Sequence, residues 1–163
     1  MCMRRDWVRW LIGVALVSLT FGAVADTDAD VERACGNLVL DYAYHRDRMD
    51  GAALANLFTE AGVLSVLGET YQGRSAIRAR LENDREAPLS RHLMSTQRIF
   101  VDGPDRARGV SYATVYLAPR GELPRPVEGF AGIGEYHDEF VRTPDGWKIG
   151  KREFVPVFVY QRD

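Results

Sequence analysis

Histidine is the side chain whose ordinary pKa, near 6.5, lets it accept and return a proton at neutral pH. The chain carries His45, His92 and His137, which are therefore the first candidates for proton-transfer chemistry. His45 falls inside a predicted helix, two positions before Asp47, and two positions turn a helix by about 200°. We therefore expect His45 to lie on the surface, away from the face that carries Asp47.

His137 alternates with Glu135 and Glu139, so the three side chains share one face of a predicted strand. A row of carboxylate, imidazole and carboxylate is able to bind a metal ion, but it is also typical of a solvated outer sheet face. We favour the solvated face and predict no metal site.

Asp47 stands at the end of the predicted first helix, where the partial negative charge of the helix terminus disfavours a carboxylate by about 0.3–1 kcal/mol. A nearby imidazolium would compensate for this cost, whereas the alternative is a side chain that points into solvent from the last turn. Asp50 has a simpler explanation as the N-cap of a second helix, because its carboxylate can accept a free backbone N–H.

Composition limits the classes of function. The chain has 163 residues, with 21 Lys and Arg against 23 Asp and Glu, a formal charge of -2 and two cysteines. This balance gives no long-range attraction to phosphate backbones, so we predict no nucleic-acid partner. The sequence has no dinucleotide glycine fingerprint, P-loop or dense metal motif, and we predict no cofactor.

The first 25 residues are typical of a cleaved secretory signal. Arg4, Arg5 and Arg9 precede an uncharged run of residues 10–25 that ends in Ala-Val-Ala before Asp26. This run is shorter than the roughly 20 apolar residues of a membrane-spanning helix. We predict export to the periplasm or the medium and no stable membrane insertion after cleavage. An uncleaved anchor is the alternative, and the paired arginines leave the twin-arginine and general secretory routes both open.

Residues 26–163 are then predicted to form a single domain. Cys2 is lost with the signal, so Cys35 has no partner within the chain and is best explained as a small apolar residue on a helix.

The elements that must position these residues follow from hydrophobic periodicity. An apolar stripe predicts a first helix over 28–47. Asp50 begins a second helix, whose predicted buried face consists of Ala53, Leu54, Leu57 and Phe58. A third helix is predicted to start at 73. Residues 63–67 are predicted to form a short strand. After Pro88 the pattern alternates, which predicts strands over 92–102, 109–118, 130–142 and 147–160, with turns at 102–105 and 143–146. Three helices followed by a meander of strands indicate an α+β domain whose curved sheet encloses a pocket.

Four segments in this order resemble the SnoaL-like group of the nuclear transport factor 2-like superfamily: 42–50 (YAYHRDRMD), 54–58 (LANLF), 71–77 (YQGRSAI) and 145–149 (DGWKI). The resemblance implies a cone in which a curved antiparallel or mixed sheet packs against three N-terminal helices around an apolar pocket. Members include scytalone dehydratase, bile acid 7-alpha-dehydratase, hexachlorocyclohexane dehydrochlorinase, ketosteroid isomerase and proteins that only bind ligands.

In the dehydratase branch, an Asp at the end of the first helix orients a His at the start of the first long strand. Asp47 and His92 match these residues, and Tyr42 matches a cavity tyrosine. The resemblance therefore implies a cofactor-free lyase or isomerase in which His92 abstracts a proton, Asp47 orients it and Tyr42 polarises an oxygen. Val66 and Pro156 fall where the bile acid dehydratase carries polar cavity residues, which leaves the substrate open.

Strand alternation extends the predicted site. If His92 points inward, Met94 accompanies it, and Tyr112 and Tyr116 share one face of the next strand. The hydroxyls of Tyr44, Tyr112 or Tyr116 are candidate contacts to a small hydrophobic substrate, although core packing with a polar tip explains them equally well. The alternatives are an exported ligand-binding or interaction domain without turnover, and a homodimer formed through the exposed sheet face.

Overall fold

A computed structural model of the protein describes residues 26–83, 86–127 and 129–159. The predicted signal segment, including its cleavage motif and Cys2, lies outside these residues. Two helices, two strands and a third helix precede four long strands along the chain, which confirms the α+β class. No helix among the described residues is long and apolar enough to cross a bilayer.

The first helix, α1 (Asp28–Asp47), has the predicted bounds. It begins with a capping box, in which the side chain of Thr27 accepts from the backbone of Asp30 and the side chain of Asp30 accepts from Thr27. Its buried side chains recur at helical spacing: Val31, Cys35, Leu38, Val39, Tyr42 and Ala43. Because one stripe is buried along the whole helix, α1 delivers Tyr42 and Asp47 to the interior of the domain.

Two short helices flank the first strand. In α2 (Gly51–Asn56), Asp50 is the N-cap as predicted, and its Oδ1 accepts from the backbone N–H of Ala53 at 2.9 Å. The buried face differs from the prediction because the helix is short. Phe58 begins a strand instead, and Ala55 is buried rather than Ala53. The third helix, α3 (Arg74–Glu82), starts after Gly73 and buries Ile77 and Leu81.

Six strands form one sheet. The four long strands are close to their predicted bounds: β3 (Leu89–Val101), β4 (Arg106–Ala118), β5 (Gly132–Thr143) and β6 (Gly146–Val159). They pair antiparallel in sequence order. The strand β1 (Phe58–Val66) is longer than predicted, and β2 (Glu69–Gln72) was not predicted. The order across the sheet is β2-β1-β6-β5-β4-β3.

The sheet is mixed because β1 pairs parallel with β6 while every other pair is antiparallel. It is curved and does not close into a barrel. The helix α1 packs against β3, β4 and β6, so the core lies between α1 and one face of the sheet. Trp147 and Ile149 belong to this core, as predicted.

Candidate active site

The end of α1 meets the start of β3 through the carboxylate of Asp47. The ring Nδ1 of His92 lies 2.6 Å from Oδ1 of Asp47, and the backbone N–H of His92 donates to Oδ2 at 2.8 Å. The hydroxyl of Ser90 donates to Oδ1 at 2.8 Å. Both oxygens of the carboxylate are therefore held, and the position of the imidazole ring is fixed relative to the β3 backbone.

Burial makes this contact strong. The side chains of Asp47 and His92 are 7% and 8% exposed. Burial alone raises the pKa of Asp47, but the hydrogen bonds from the side chain and backbone of His92, together with the charge of a protonated His92 and the Ser90 hydroxyl, hold that pKa below its ordinary value. Asp47 is thus a carboxylate at neutral pH.

An ionised carboxylate only accepts hydrogen bonds, so the hydrogen between the two side chains belongs to Nδ1 of His92. In the neutral ring, Nε2 then carries the free lone pair. His92 also lines a cavity of about 360 Å³. An imidazole held in this way is chemically able to act as a general base, because its carboxylate partner fixes the tautomer and would stabilise an imidazolium.

The cavity is lined by side chains from both layers of the domain, and most of them are apolar. The apolar lining residues are Val66, Leu67, Pro88, Val115, Leu117, Ala131, Gly132, Phe154, Pro156, Phe158 and Val159. The polar lining residues are Tyr42, Arg46, Arg80, Ser90, His92 and Tyr136. We refer to this space as the central cavity. Its composition, apolar with a few convergent polar groups, is that of a small-molecule site.

Two tyrosines form one wall of the central cavity, and a buried arginine packs against their rings from behind. The rings of Tyr42 and Tyr136 pack edge to face with centroids 5.4 Å apart, and the guanidinium of Arg152 lies 4.3 Å and 4.6 Å from their centroids. Burial, then the neighbouring hydroxyl of Tyr42, raises the pKa of Tyr136 well above its usual range. Tyr136 therefore keeps its proton and is a hydrogen-bond donor at neutral pH.

Arg152 lies behind this wall and is fully buried. Its Nε and Nη2 each donate to the carboxylate of Asp138 at 2.7 Å, and neither side chain is exposed. The bidentate pair neutralises the charge of Arg152 and fixes the guanidinium against the two tyrosine rings.

The structure brings Asp47 into contact with His92 and places Tyr42 and His92 in the lining of the same cavity, but the other predicted contacts lie elsewhere. Tyr44 is 53% exposed, because α1 turns it away from the stripe that carries Tyr42, and Arg48 stacks on its ring at 3.5 Å. Met94 lies on the inner face with His92 and packs against the core, but it is not among the cavity-lining residues.

Tyr112 and Tyr116 face away from the cavity. On β4 the inner face carries Ser111, Ala113 and Val115, and alternation turns both tyrosines to the outer face, where Tyr112 is 42% exposed. The prediction that Tyr112 and Tyr116 contact the substrate chose one face of this strand, but the alternating pattern does not identify the inward face because both faces carry apolar residues.

The two remaining histidines take no part in the central cavity. His137 is on the exposed sheet face as predicted, with Nε2 2.8 Å from a carboxylate oxygen of Glu135. Across the residues that the structure describes, no three His, Cys, Asp or Glu side chains form a metal-binding group. His45 is more buried than predicted, because the turn after α1 folds back over it and places Asp50 4.0 Å from its Nδ1.

Arg46, Arg80, Ser90 and Tyr136 line the central cavity and were missed from the sequence. Tyr136 had a usable signal, because the exposed row at Glu135 and His137 implies that the intervening side chain points inward. The arginines had no such signal, since Arg46 lies among other charged residues of α1.

Comparison with known proteins agrees with this architecture. A model of the SnoaL-like domain matches residues 27–153. Rv3472 of Mycobacterium tuberculosis, a protein of unknown function, is 27% identical with a TM-score of 0.69, over 82% of this chain and 78% of that chain. No curated protein matches the chain significantly.

Two further solved structures share the fold at lower identity. A candidate scytalone dehydratase of Novosphingobium aromaticivorans is 24% identical with a TM-score of 0.68, over 83% of this chain and 91% of its own. LinA is 17% identical with a TM-score of 0.67, over 80% and 91%. These values show a common fold.

Proposed function

Because this chain belongs to the SnoaL-like domain family, we propose that it is a lyase or isomerase in which His92 abstracts a proton from a small hydrophobic substrate. The observation that carries the proposal is the 2.6 Å contact between Nδ1 of His92 and Asp47 at the wall of an apolar cavity. The similarity to a candidate scytalone dehydratase agrees with a dehydratase-type reaction.

In the proposed reaction, Nε2 of His92 takes a proton from carbon. The electrons of the C–H bond form a C=C bond, and either a β-leaving group departs or an adjacent carbonyl becomes an enolate. The imidazolium then returns its proton to the leaving group or to another carbon, so the protein ends unchanged. Asp47 stabilises the imidazolium throughout.

In the proposed reaction, the tyrosine hydroxyls of the central cavity stabilise the negative charge that develops on the substrate by donating hydrogen bonds to it. Tyr136 stays protonated, and both Tyr136 and Tyr42 line the cavity. In that reaction, one of these hydroxyls donates to the substrate oxygen that becomes negative. The proposed step uses protein side chains alone.

The test combines ligand screening with proton exchange. Compounds that raise the melting temperature, drawn from a panel of cyclic ketones and cyclic β-hydroxy ketones, are incubated in heavy water, and NMR follows deuterium uptake and elimination. Since a general base contributes about 10²–10⁴-fold, His92→Ala is expected to slow the reaction by that factor. Asp47→Asn is expected to slow it as well, because an amide stabilises the imidazolium less and no longer fixes the tautomer.

The matched control is His137→Ala, which removes an exposed imidazole that also contacts a carboxylate, and it is expected to keep full activity. Equal rates for His92→Ala and the wild type would contradict the proposal. So would deuterium uptake that depends on His137.

A ligand-binding domain without turnover is the second candidate. The presence of Val66 and Pro156 in the lining favours it, because polar groups at these positions would give a catalyst more contacts to a reacting oxygen. Tight binding of several compounds, with affinity unaffected by His92→Ala and with no exchange or elimination, would favour this candidate over the enzyme.

We also propose that residues 1–25 direct export and that the mature chain starts at Asp26. N-terminal sequencing of the protein from the periplasm or the medium tests the cleavage site. We further propose a homodimer through the outer sheet face, where Leu93, Tyr112 and Val155 are exposed. Light scattering over a range of concentrations tests it, with Leu93→Asp expected to shift the protein toward the monomer.

A further inference from the structure

The described lining of the central cavity contains Arg46 and Arg80 and no Asp or Glu. This is unexpected for a chain whose formal charge is -2. Asp47 is the nearest acid on α1, but its two oxygens are already occupied by Ser90 and His92. The cavity therefore presents positive charge to whatever enters it.

Half of the other arginines of the described residues have a carboxylate partner, whereas Arg46 and Arg80 have none among these residues. The pairs are Arg33 with Asp30, Arg74 with Glu60, Arg78 with Glu82, Arg108 with Asp102, Arg142 with Asp26, and Arg152 with Asp138. Arg46 instead contacts the sulfur of Met49 at 3.1 Å. Arg80 lies 5.3 Å from the ring of Tyr71, and its Nε is buried with no hydrogen-bond partner within the described part of the chain.

An unpaired buried donor on a cation is costly, because the lost hydration is not replaced. A ligand that brings an anionic oxygen removes this cost and gains charge-assisted hydrogen bonds. Arginine is suited to the task, since its planar group presents two parallel donors that match a carboxylate.

We propose that the central cavity binds a hydrophobic carboxylate, whose acid group pairs with Arg46 and Arg80 while its apolar body fills the remaining space beside His92. The proposal names the substrate class of the site described above and rests on that site being the place of ligand binding. A carboxylate suits the cavity better than a phosphate, because the remaining lining is largely apolar and contains no lysine.

The experiment measures affinity without turnover, by calorimetry at pH 8, where an ordinary imidazole is neutral. The probes are naphthoate, naphthylmethanol and naphthyl phosphate, which share one apolar body and differ in the head group. The wild type is expected to bind naphthoate at least tenfold more tightly than naphthylmethanol, and more tightly than naphthyl phosphate. A single charge-assisted hydrogen bond accounts for a factor of about ten or more.

Arg46→Gln and Arg80→Gln are each expected to reduce the affinity for naphthoate about tenfold and to leave that for naphthylmethanol nearly unchanged. The matched controls are Arg48→Gln on α1 and Arg78→Gln on α3, which remove the same charge from exposed positions outside the cavity. They are expected to keep the wild-type preference, which separates a local contact from a change in net charge. Circular dichroism checks that each variant is folded.

Equal binding of naphthoate and naphthylmethanol, binding of neither probe, or a preference for naphthyl phosphate would overturn the proposal. An undiminished preference in both cavity variants would do the same. His92→Ala keeps the preference if the inference is right, whatever its effect on catalysis. If His92→Ala loses turnover while the wild type binds naphthoate and naphthylmethanol equally, the proposed lyase or isomerase function stands and the proposed preference for a carboxylate is rejected.

Discussion

Asp47 performs two tasks that are usually separate, since it joins the end of α1 to β3 and also orients the imidazole of His92. Its carboxylate accepts hydrogen bonds from the hydroxyl of Ser90, 43 residues away in sequence, and from the ring and the backbone N–H of His92, 45 residues away. The sequence alone shows that this carboxylate lies at a helix C-terminus, where the partial negative charge of the helix is unfavourable for it. The compensating partner was found through resemblance alone, because nothing in local spacing relates residues so far apart.

The charge of Asp47 is expected to contribute to stability in a pH-dependent way. Its pKa in the folded state is lowered from the ordinary value of about 3.9, so its contribution is fully present above that value and is lost as the pH falls through the folded-state pKa. Asp47→Asn is expected to be less stable than the wild type by about 1.5–3 kcal/mol at pH 7. The difference should shrink at about pH 3. Urea unfolding at pH 7, 5 and 3 measures it.

The control for this comparison is Asp41→Asn, which makes the same change at an exposed position of the same helix. It is expected to give a small difference that varies little with pH. A stability difference for Asp47→Asn that is equally large at pH 7 and pH 3 would show that the ionised form of Asp47 is not preferentially stabilised by folding.

The structure agrees with the interpretation of Cys35 as a small apolar residue on a helix. Cys35 is fully buried on α1, and burial, then the charge of Asp138, raises the pKa of its thiol to about 12. Because the thiolate is the reactive form, iodoacetamide at pH 8 is expected to label Cys35 only after unfolding in urea. Mass spectrometry of the peptide that contains Cys35 measures this. An exposed comparison is Ser95→Cys on β3, and equal labelling rates at the two sites in the native protein would contradict the prediction.

At the scale of elements, helices and hairpins were predictable because their signals are local. The apolar stripe of α1, the Asp50 cap and the turns at 102–105 and 143–146 each lie within a short window. The parallel pairing of β1 with β6 was not predictable, because the paired segments are far apart in sequence and nothing local specifies them. The short strand β2 is largely exposed and lacks an apolar pattern, which explains why it was missed.

The approach of α2 to α3 depends on the absence of a side chain at Gly51. A Cβ there would lie 2.9 Å from the carbonyl oxygen of Arg78 and 2.9 Å from Cγ of Glu82. Gly51→Ala is therefore expected to push the two helices apart and to lower the free energy of unfolding by about 1–3 kcal/mol. Urea denaturation followed by circular dichroism measures the change.

Gly36 on α1 provides a control, because its replacement by alanine is not expected to lower the free energy of unfolding. A Cβ there would meet the flexible end of Gln97 at 3.3 Å, and alanine favours the helix interior by roughly 0.5–1 kcal/mol over glycine. Gly36→Ala is expected to leave stability unchanged or to raise it. If Gly51→Ala is as stable as Gly36→Ala, the close packing of α2 on α3 is not a constraint on the fold.

At the scale of the whole molecule, one buried ion pair connects the two layers. Asp138 on β5 and Arg152 on β6 are directly paired in the sheet, and Arg152 also stacks on Tyr42 of α1. The pair therefore holds a charged group beneath the wall of the central cavity. Alternation in β5 predicts an inward Asp138 once the outer row is recognised, whereas an inward arginine in β6 contradicts the usual expectation for an apolar core.

Breaking this pair is expected to affect the whole domain, because either partner alone leaves an uncompensated buried charge. Arg152→Met should lower the free energy of unfolding by about 3–5 kcal/mol, and replacing both groups in Arg152→Met/Asp138→Leu should recover much of that loss. Urea unfolding of the single and double variants measures the coupling. The exposed pair of Arg108 and Asp102, 3.3 Å apart, is the control and should show a coupling of about 0–1 kcal/mol. The buried pair differs from the exposed pair in burial and in its two 2.7 Å hydrogen bonds. If the two pairs show the same coupling, the buried pair of Arg152 and Asp138 does not govern stability.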